Sequence, residues 1–387
     1  MFSVTDLMNE AERETRLSDW GDDHFLQPFV RLIDSLNQEA ELTEIGRQRS
    51  QLHLANLLAY RLRLVADRKL RPEIAQQQIG KPVFMSGMPR SGTSYLNALL
   101  ARDPNIVAPL HWQMWCPSPP PNDPAIDHRP QIERGQYLMD AQGFEAADIK
   151  DKHSYGAMHA EEDSHILEYS FVAGAFTAWW DVPTYVSYVY GADFTPAYRV
   201  HKQILQALQV GKSNKRWLLK APDHFIHVNA LLSVYPDACF ILNHRDPSKV
   251  MASVMSLMAA HRRQFGNRPL QQDRQFALAF IEFFAAGMEN LIRMRSDSEF
   301  NSRFVDIAFR ELERDPIGQV RRVYAHLNME LVPSVVASMK RHIAENRKGK
   351  FGDHVYRLGD YAVTSDEVRE RFQRYIKYFD ISSEPDA

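Results

Sequence analysis

A short apolar segment, followed by a loop of small residues and then by a helical pattern, constrains the fold of this chain more than any other feature. Val83–Met85 has the length and the side chains of a buried strand, and Ser86–Gly87 ends it. Apolar residues then recur at helical spacing from Tyr95 to Leu100. The sequence therefore predicts a strand, a loop and a helix in immediate succession.

Three later apolar segments predict further strands. They are Trp217–Leu219, Ala238–Leu242 and Phe304–Phe309. A helical pattern beginning at Gln131 precedes the first of them, and another beginning at Ser248 lies between the second and the third. Apolar strands that alternate with helices favour a parallel sheet covered on both faces. Because ligands of such sheets bind beyond the carboxyl ends of the strands, we expect an α/β protein whose site is formed by the loops after these strands.

The N-terminal part of the chain predicts helices alone. Apolar side chains recur at helical spacing from about Ser3 to Leu70, which fits two or three amphipathic helices, and Arg71-Pro72 ends the pattern. We therefore predict an N-terminal helical segment over residues 1–80. One large domain, with a central parallel sheet flanked by helices, is predicted over residues 81–387.

Residues 116–130 contain a dense group of prolines. Proline lacks the backbone N–H group that helices and sheets require, so this segment predicts an extended surface loop. The loop is either a plain connector or the rim of a nearby site.

Charge and cysteine content narrow the partners and the compartment. The 46 Lys and Arg residues face 49 Asp and Glu residues, so the formal charge of −3 offers no excess of positive charge for nucleic acid. Cys116 and Cys239 are too few for a disulfide framework or a zinc cluster, which suits the cytoplasm. Polar residues interrupt the apolar ones near the N-terminus, so we expect neither a signal peptide nor a membrane span there.

The loop Gly87–Ser94 has the features of an anion-binding loop. It lies between a predicted strand and a predicted helix, where unpaired backbone N–H groups and the helix dipole attract an anion. Its glycine spacing is that of a nucleotide-binding P-loop, but Thr93 stands where the P-loop lysine would be, and the cation is Arg90 instead. A tight connection without a ligand is the alternative interpretation.

Pro89–Ser94 also resembles, residue for residue, the 5′-phosphosulfate loop of the sulfotransferases that use 3′-phosphoadenosine 5′-phosphosulfate (PAPS). Two later segments resemble the motifs with which this family binds the 3′-phosphate. They are Arg245 followed by Ser253, and the glycine-containing loop that begins Arg347-Lys348-Gly349. The resemblance extends from about Leu42 to Phe379 and is to the bacterial type.

This resemblance implies a P-loop-like sulfotransferase fold, PAPS as the sulfonate donor, and no metal. The 5′-phosphosulfate would be bound by Arg90, Ser91, Gly92, Thr93 and Ser94, and the 3′-phosphate by Arg245, Ser253, Arg347, Lys348 and Gly349. Without the family, Arg245-Asp246 is as readily a local salt bridge, and the segment from Arg347 a solvated turn.

Sulfonate transfer also needs cations that stabilise the charge on the leaving group. Arg90 would supply one charge from the loop. Lys220, at the end of a predicted strand, resembles the family's lysine that faces the leaving group. An ordinary surface lysine is the alternative interpretation of Lys220.

A base must take the proton of the acceptor. Bacterial relatives carry Trp-Glu where this chain has Trp112-Gln113, and a glutamine cannot accept a proton usefully. His111 is the predicted base, because an unperturbed imidazole titrates near neutral pH, and a packed, hydrogen-bonded core histidine is the alternative interpretation of this residue. Glu162 and His165 are the alternatives, in a charged segment that would otherwise be a solvated helix start.

The acceptor is expected to be a small molecule with a hydroxyl or an amine. Aromatic residues around Trp179-Trp180 would either line an apolar acceptor pocket or pack in the core. Phe309 replaces a residue that is usually a tyrosine beside the adenine in the family, and it would either stack there or pack in its strand. The sequence is also compatible with a homo-oligomer.

Two other functions remain open from the sequence. A P-loop kinase shares the strand, loop and helix, but this chain lacks its lysine and has Asn243-His244-Arg245 where such an enzyme has a magnesium-binding aspartate. A non-catalytic nucleotide-binding relative is favoured by Gln113 alone.

Overall fold

The described part of the chain contains one parallel sheet of five strands in the order β2-β3-β1-β4-β5. The computed structural model describes residues 1–150, 155–212, 215–346 and 356–385. β1 pairs with β3 on one side and with β4 on the other, so the strand that precedes the predicted anion-binding loop is the central one. The strands are β1 Val83–Gly87, β2 Ile106–Val107, β3 Arg216–Lys220, β4 Cys239–His244 and β5 Phe304–Ala308.

Helices form most of the remaining described chain. In chain order they are α1 Val4–Thr15, α2 Leu26–Gln38, α3 Glu44–Leu70, α4 Thr93–Leu100, α5 His111–Trp115, α6 Arg129–Ala141, α7 Ala147–Lys150, α8 Ser164–Leu167, α9 Phe176–Trp179, α10 Pro183–Tyr190, α11 Thr195–Gln209, α12 Val228–Val234, α13 Pro247–Arg262, α14 Arg274–Met294, α15 Ser298–Asn301, α16 Phe309–Arg314, α17 Pro316–His326, α18 Pro333–Glu345, α19 Ser365–Arg371 and α20 Gln373–Tyr378. The predicted fold class, a parallel sheet flanked by helices after an N-terminal helical segment, is confirmed.

Residue contacts divide the chain into two compact units. The helical unit comprises Met1–Ile79, Pro109–Lys215 and Met258–Pro269, and the sheet unit comprises Gly80–Ala108, Arg216–Leu257 and Leu270–Ala387. All five strands belong to the sheet unit. The domain boundary that the sequence places after residue 80 stays a prediction.

The sheet unit has apolar side chains on both faces of its sheet. Met85, Ile241 and Val305 belong to a buried cluster on one face, together with residues of α4, α17 and α18. Alternate positions of the same strands point to the other face, where the rings of Phe240 and Phe304 stack with centroids 4.6 Å apart. Each fully buried side chain of this size contributes about 1.5–3 kcal/mol, so the sheet is held from both sides.

The helical unit is built on α3 and an aromatic core. Thr43 caps α3, since its hydroxyl accepts a hydrogen bond of 2.9 Å from the Gly46 N–H. In the core, the Phe171 ring lies 4.6 Å from that of Phe29, and the Phe176 ring lies 5.3 Å from that of Trp180. The aromatic stretch around Trp180 is therefore buried packing within this unit.

Helix α14 is long and apolar enough, by length and composition, to cross a membrane, with a mean hydropathy of 1.2. Half of its apolar window is buried within the protein. The buried residues include Ile281, Phe284 and Leu291, and the helix packs against α19 and α20 in the sheet unit. Core helices of folded proteins can have the same length and composition.

Two expectations are wrong. The last strand ends at Ala308, and Phe309 begins α16, because an apolar run carries no boundary signal when the next helix also starts with an apolar residue.

The proline-rich segment is not a surface loop in its first half, since most of Cys116–Pro121 is buried. Gln131 compensates for the loss of water around this segment, because its amide donates to the carbonyls of Cys116 and Pro119 at 3.0 and 2.8 Å.

Candidate active site

The loop after β1 has an unusual backbone conformation. The φ angles of Gly87, Arg90 and Gly92 are +129°, +64° and +88°. A Cβ atom on Gly87 would lie 2.4 Å from the carbonyl oxygen of Asn243 in the neighbouring strand, so only glycine fits there. Arg90 adopts the left-handed conformation with a side chain, at a cost of about 1–2 kcal/mol. The loop is thus held in a shape that a relaxed connection would not need.

The backbone N–H groups of this loop are available to a ligand. Those of Arg90, Ser91 and Gly92 donate to no acceptor within the described ranges. Helix α4 follows directly at Thr93, and no side chain in the described part of the chain caps its N-terminus. The loop is braced from behind instead, because the Ser91 hydroxyl donates to the Met88 carbonyl at 2.6 Å and the Asn243 amide donates to the Ser91 carbonyl at 3.2 Å. This arrangement suits an anion.

Four predicted side chains converge on the loop. Arg90 Nε donates to Ser253 Oγ at 3.1 Å, and Arg245 Nη1 donates to the carbonyl of Arg90 at 3.0 Å. On the other side, Lys220 Nζ donates to Ser94 Oγ at 3.2 Å. Lys220 is 2% exposed, so its interpretation as a surface lysine is wrong. Strands β3 and β4 flank β1, which is why their carboxyl ends deliver Lys220 and Arg245 to opposite sides of one loop.

Arg245 and Asp246 do not form the local salt bridge that the sequence allows. Arg245 binds the carboxylate of Glu384, with its Nε and Nη2 at 3.0 and 2.9 Å from the two oxygens. Asp246 pairs with Arg369 at 3.0 Å. Burial alone would raise the pKa of Asp246, but hydrogen bonds from the Glu384 N–H, Ser248 and Arg369 outweigh it and lower that pKa.

Phe309 lies beside both the loop and Arg245. The guanidinium carbon of Arg245 is 4.0 Å from the centre of the Phe309 ring, which is the geometry of a cation–π contact. A Cβ atom on Gly92 would lie 3.0 Å from Phe309 Cδ2. Phe309 is half-buried, so the packing of this ring in a strand core, expected as one alternative, is wrong. Its place beside an adenine stays a prediction.

A polar cluster fixes the end of β4 just before Arg245. Asp306 accepts hydrogen bonds from His244 Nε2 at 2.8 Å and from both terminal nitrogens of Arg295 at 2.7 Å. Burial alone would raise the pKa of Asp306, but these donors hold it well below its usual range. Burial also lowers the pKa of His244, which favours the neutral ring.

Of the residues expected to bind the 3′-phosphate, Arg347, Lys348 and Gly349 lie outside the described residues. Arg245 and Ser253 are described, and the Arg90 side chain and carbonyl contact them both, as given above.

In the helical unit, His111 is the first residue of α5 and is fully buried. Its ring stacks on His165, with centroids 5.0 Å apart, and meets Trp115 edge-on at 4.8 Å. Two residues later, the Gln113 amide accepts from the Leu110 N–H at 3.0 Å and donates to Asn122 Oδ1 at 2.9 Å. Because a carboxylate could not donate to Asn122, the amide of Gln113 is what allows both contacts, and it has a structural role here.

His165 forms part of a buried acid–histidine cluster. Glu168 accepts from His165 Nδ1 at 2.7 Å and from His53 Nε2 at 2.8 Å. Burial alone would raise the pKa of Glu168, but the charge and the hydrogen bond of His165, with help from His53, lower it to about 2. Burial alone would lower the pKa of His165, and Glu168 outweighs this and raises it.

The charged segment around His165 is therefore not the solvated helix start that one interpretation expected. Glu161, Asp163, His165 and Glu168 are all buried. Glu162 precedes α8, which begins at Ser164, so Glu162 and His165 do not share a helix as expected. The charges can be buried because histidines from distant helices pair with them, as His201 does with Asp163 at 2.8 Å.

Sequence reasoning missed Asn243, Glu168 and Glu384. Glu168 could have been found, because it lies three residues after His165 and this spacing places two side chains on one helical face. Asn243 directly follows a strand that was predicted, Ala238–Leu242, but its contact with the loop depends on strand order. For Glu384 no local signal exists. Within the described ranges, no group of three or more His, Cys, Asp or Glu residues is arranged to hold a metal ion.

Comparison with known proteins decides the family. The family model described as "Sulfotransferase family" matches residues 82–333, which include the loop, β3, β4 and β5. The chain belongs to the sulfotransferase family. The sequence-based recognition of this family is therefore confirmed.

Among curated sulfotransferases, the chain is similar to omega-hydroxy-beta-dihydromenaquinone-9 sulfotransferase Stf3 of Mycobacterium bovis and of Mycobacterium tuberculosis. Each is 27% identical over 170 residues, which is 42% of this chain and 42% of the relative. The match thus spans less than half the length of these curated relatives.

Two solved sulfotransferase structures resemble the chain over nearly its whole length. STF9 from Mycobacterium avium has a TM-score of 0.87 and 27% identity, covering 99% of this chain and 98% of its own. STF1 from Mycobacterium tuberculosis H37Rv has a TM-score of 0.80 and 27% identity, covering 96% and 98%. The sulfotransferase fold therefore extends to both units.

Proposed function

We propose that this member of the sulfotransferase family is a cytoplasmic enzyme that transfers a sulfonate group from PAPS to a hydroxyl or amine of a small-molecule acceptor. The observation that carries the proposal is the convergence of Arg90, Lys220, Arg245 and Ser253 on one loop with unpaired N–H groups. A kinase would need a lysine in the loop and an acidic residue at the end of β4, and the chain has Thr93 and Asn243-His244 there.

The donor would be held at both of its charged ends. The N–H groups from Arg90 to Ser94 and the N-terminus of α4 would bind the 5′-phosphosulfate. Arg245 and Ser253 would bind the 3′-phosphate, with Arg347, Lys348 and Gly349 completing that side. The absence of a 3′-phosphate in ATP and ADP makes this group the expected basis of donor selection.

In the transfer step, the acceptor oxygen or nitrogen forms a bond to sulfur while the bond from sulfur to the bridging oxygen of the 5′-phosphate breaks. The electron pair leaves with 3′-phosphoadenosine 5′-phosphate (PAP), and the acceptor's proton passes to a base. Arg90 and Lys220 would stabilise the charge that grows on the leaving group. No metal is assigned a role in this step.

We propose His111 as the base, with Glu162 or His165 as alternatives. His111 lies against His165, whose ring is held by the buried carboxylate of Glu168. Glu168 thus orients His165, the alternative base, and His165 in turn packs against the ring of His111. A His111→Gln chain that keeps PAP binding but loses turnover would support His111, and unchanged turnover would move the role to His165 or Glu162.

The acceptor is proposed to be an apolar molecule with a hydroxyl. The curated relatives are named for a hydroxylated dihydromenaquinone, and this supports such an acceptor class here. The formal charge of −3 is consistent with a partner other than nucleic acid. A homo-oligomer stays a prediction.

Calorimetric titration with PAP, ATP and ADP tests the donor site. We expect micromolar PAP binding, weaker ATP and ADP binding, and loss of PAP binding in Arg245→Ala. Tighter, magnesium-dependent ATP binding that ignores Arg245 would overturn the proposal in favour of a kinase. PAP binding without any transfer to a panel of alcohols, phenols and amines would favour a non-catalytic relative.

A further inference from the structure

The edge of Arg245 that a phosphate would use is already occupied by a residue of the same chain. A guanidinium binds an oxyanion in two-pronged fashion through Nε and one terminal nitrogen. In Arg245, Nε and Nη2 both donate to the Glu384 carboxylate, at 3.0 and 2.9 Å. The remaining nitrogen, Nη1, donates to the Arg90 carbonyl at 3.0 Å. A phosphate therefore has no free two-pronged edge on Arg245 while Glu384 is bound.

Glu384 is held in this position by backbone contacts as well as by its charge. Its N–H donates to Asp246 Oδ2 at 2.7 Å, and its carbonyl accepts from Arg369 at 3.2 Å. Arg310 donates to the preceding carbonyl, that of Ser383. The side chains of Arg245 and Glu384 are only 23% and 18% exposed. This is a docked segment, unlike the mobile ion pairs of protein surfaces.

We propose that residues 381–385, the C-terminal strap, regulate donor binding by competing with the 3′-phosphate for Arg245. The proposal rests on the proposed function, because it takes Arg245 as a phosphate ligand. A phosphate dianion and the Glu384 carboxylate cannot share one guanidinium edge, since both the geometry and the like charges oppose it. PAPS or PAP must therefore release the strap, and the apparent affinity is lowered by the fraction of molecules in which the strap is docked.

The same displacement means that donor binding changes the conformation of the strap. When the 3′-phosphate takes Arg245, Glu384 leaves and its N–H no longer donates to Asp246. Coupling between two ligands of this kind changes affinity about 5- to 150-fold, and for a partly exposed pair we expect about 5- to 20-fold.

Glu384→Gln keeps the size of the side chain and removes its charge. We expect it to bind PAP about 5- to 20-fold more tightly than the wild-type chain by calorimetry. Adenosine 5′-phosphosulfate, which lacks the 3′-phosphate, should bind both chains equally. Asp380→Asn is the matched control, because Asp380 is an exposed carboxylate four residues earlier, and it should leave PAP binding unchanged.

Amide hydrogen exchange of the wild-type chain gives a second measurement that does not depend on a variant. Saturation with PAP should speed exchange in residues 381–385, because the strap is released. Slower exchange there would mean that the strap closes over the nucleotide, and it would overturn the competition.

The outcomes separate this proposal from the one on which it rests. If the wild-type chain binds PAP, and Arg245→Ala abolishes it, but Glu384→Gln binds PAP equally or more weakly, the donor site stands and the competition is wrong. If Glu384→Gln tightens adenosine 5′-phosphosulfate as much as PAP, the effect is not at the 3′-phosphate and the proposal is also wrong. If neither chain prefers PAP to ADP, the proposed donor site is wrong, and the proposed competition for Arg245 is wrong with it.

Discussion

Arg90 and Ser253 are joined by a hydrogen bond of 3.1 Å from the guanidinium Nε to the hydroxyl, which links the loop after β1 to α13. The sequence assigns these two residues to opposite ends of the donor, Arg90 to the 5′-phosphosulfate and Ser253 to the 3′-phosphate. Their contact means that the two predicted subsites share a wall. A substitution in one subsite is therefore expected to change ligand binding at the other.

Ser253→Ala should weaken PAP binding about 10-fold or more, because a hydrogen bond to a charged group contributes about 1.5–3 kcal/mol. The variant also releases the Arg90 side chain. Calorimetry measures the effect, and Ser256→Ala, one turn further along α13, is the control. Equal losses in the two variants would mean that the helix and not the hydroxyl is responsible.

Lys220→Met should uncouple binding from transfer. Methionine fills the space of the buried stem, so we expect PAP affinity to change little, while the charge that we propose to stabilise the leaving group is lost. The rate of PAP release from PAPS, with water or an acceptor as nucleophile, should fall about 10²- to 10³-fold. Lys215→Met, at the exposed start of the same segment, should leave that rate unchanged. A parallel loss of PAP binding in Lys220→Met would contradict a role confined to the transfer step.

Gly87→Ala should destabilise the sheet unit by about 2 kcal/mol or more, because the new methyl group would meet the Asn243 carbonyl at a φ of +129°. Urea unfolding measures this loss. Gly80→Ala is the matched control, since a Cβ atom there has nothing within 4 Å, and it should leave the free energy of unfolding almost unchanged. An unchanged free energy of unfolding in Gly87→Ala would show that β1 can move away from β4.

Glu168→Gln should lower the free energy of unfolding by about 2–4 kcal/mol at neutral pH, because it breaks a buried pair. The folded chain lowers the pKa of Glu168 from 4.5 to about 2, so its contribution is full above pH 4.5 and is lost as the pH falls toward 2. The raised pKa of His165 has the opposite sign, and its contribution is full below pH 6.5 and is lost as the pH rises through the folded value.

Urea unfolding at about pH 3, 5 and 8 measures how the free energy of unfolding changes with pH. It separates the slope due to Glu168, at low pH, from the slope due to His165, at high pH. The wild-type chain should be most stable near pH 5 with respect to this pair, and Glu168→Gln should lack both slopes. Glu133→Gln, which changes an exposed carboxylate of α6, should reproduce the wild-type profile. If Glu168→Gln keeps the wild-type dependence of the free energy of unfolding on pH below pH 4.5, a group other than Glu168 titrates there.

The central part of the fold could be predicted because its signals are local. β1, β3 and β4 are apolar blocks between polar or small residues, and the anion-binding loop depends on backbone chemistry that neighbouring residues determine. β2 was missed because Ile106–Val107 is too short to show any periodicity.

The remaining features depend on contacts between distant parts of the chain. Glu384 finds Arg245 across 139 positions, and no pattern near either residue indicates the pair. Gln113 is recognised as a structural residue only when Asn122 is seen against its amide. The buried charge of Glu168 needs His53 from α3, so a charged segment that looks solvated in the sequence is buried in the fold.

The chain leaves the sheet after β2 and returns at β3, and these two strands are neighbours. The Arg216 N–H donates to the Asn105 carbonyl at 2.9 Å, so the first residue of β3 is hydrogen-bonded to the residue just before β2. The entropic cost of closing a loop grows only with the logarithm of its length, so changes in the length of residues 109–215 add little to that cost. Residues 109–215 include the proposed base and its alternatives, so variation within this one stretch would change the proton-accepting groups while the anion-binding loop stays as it is.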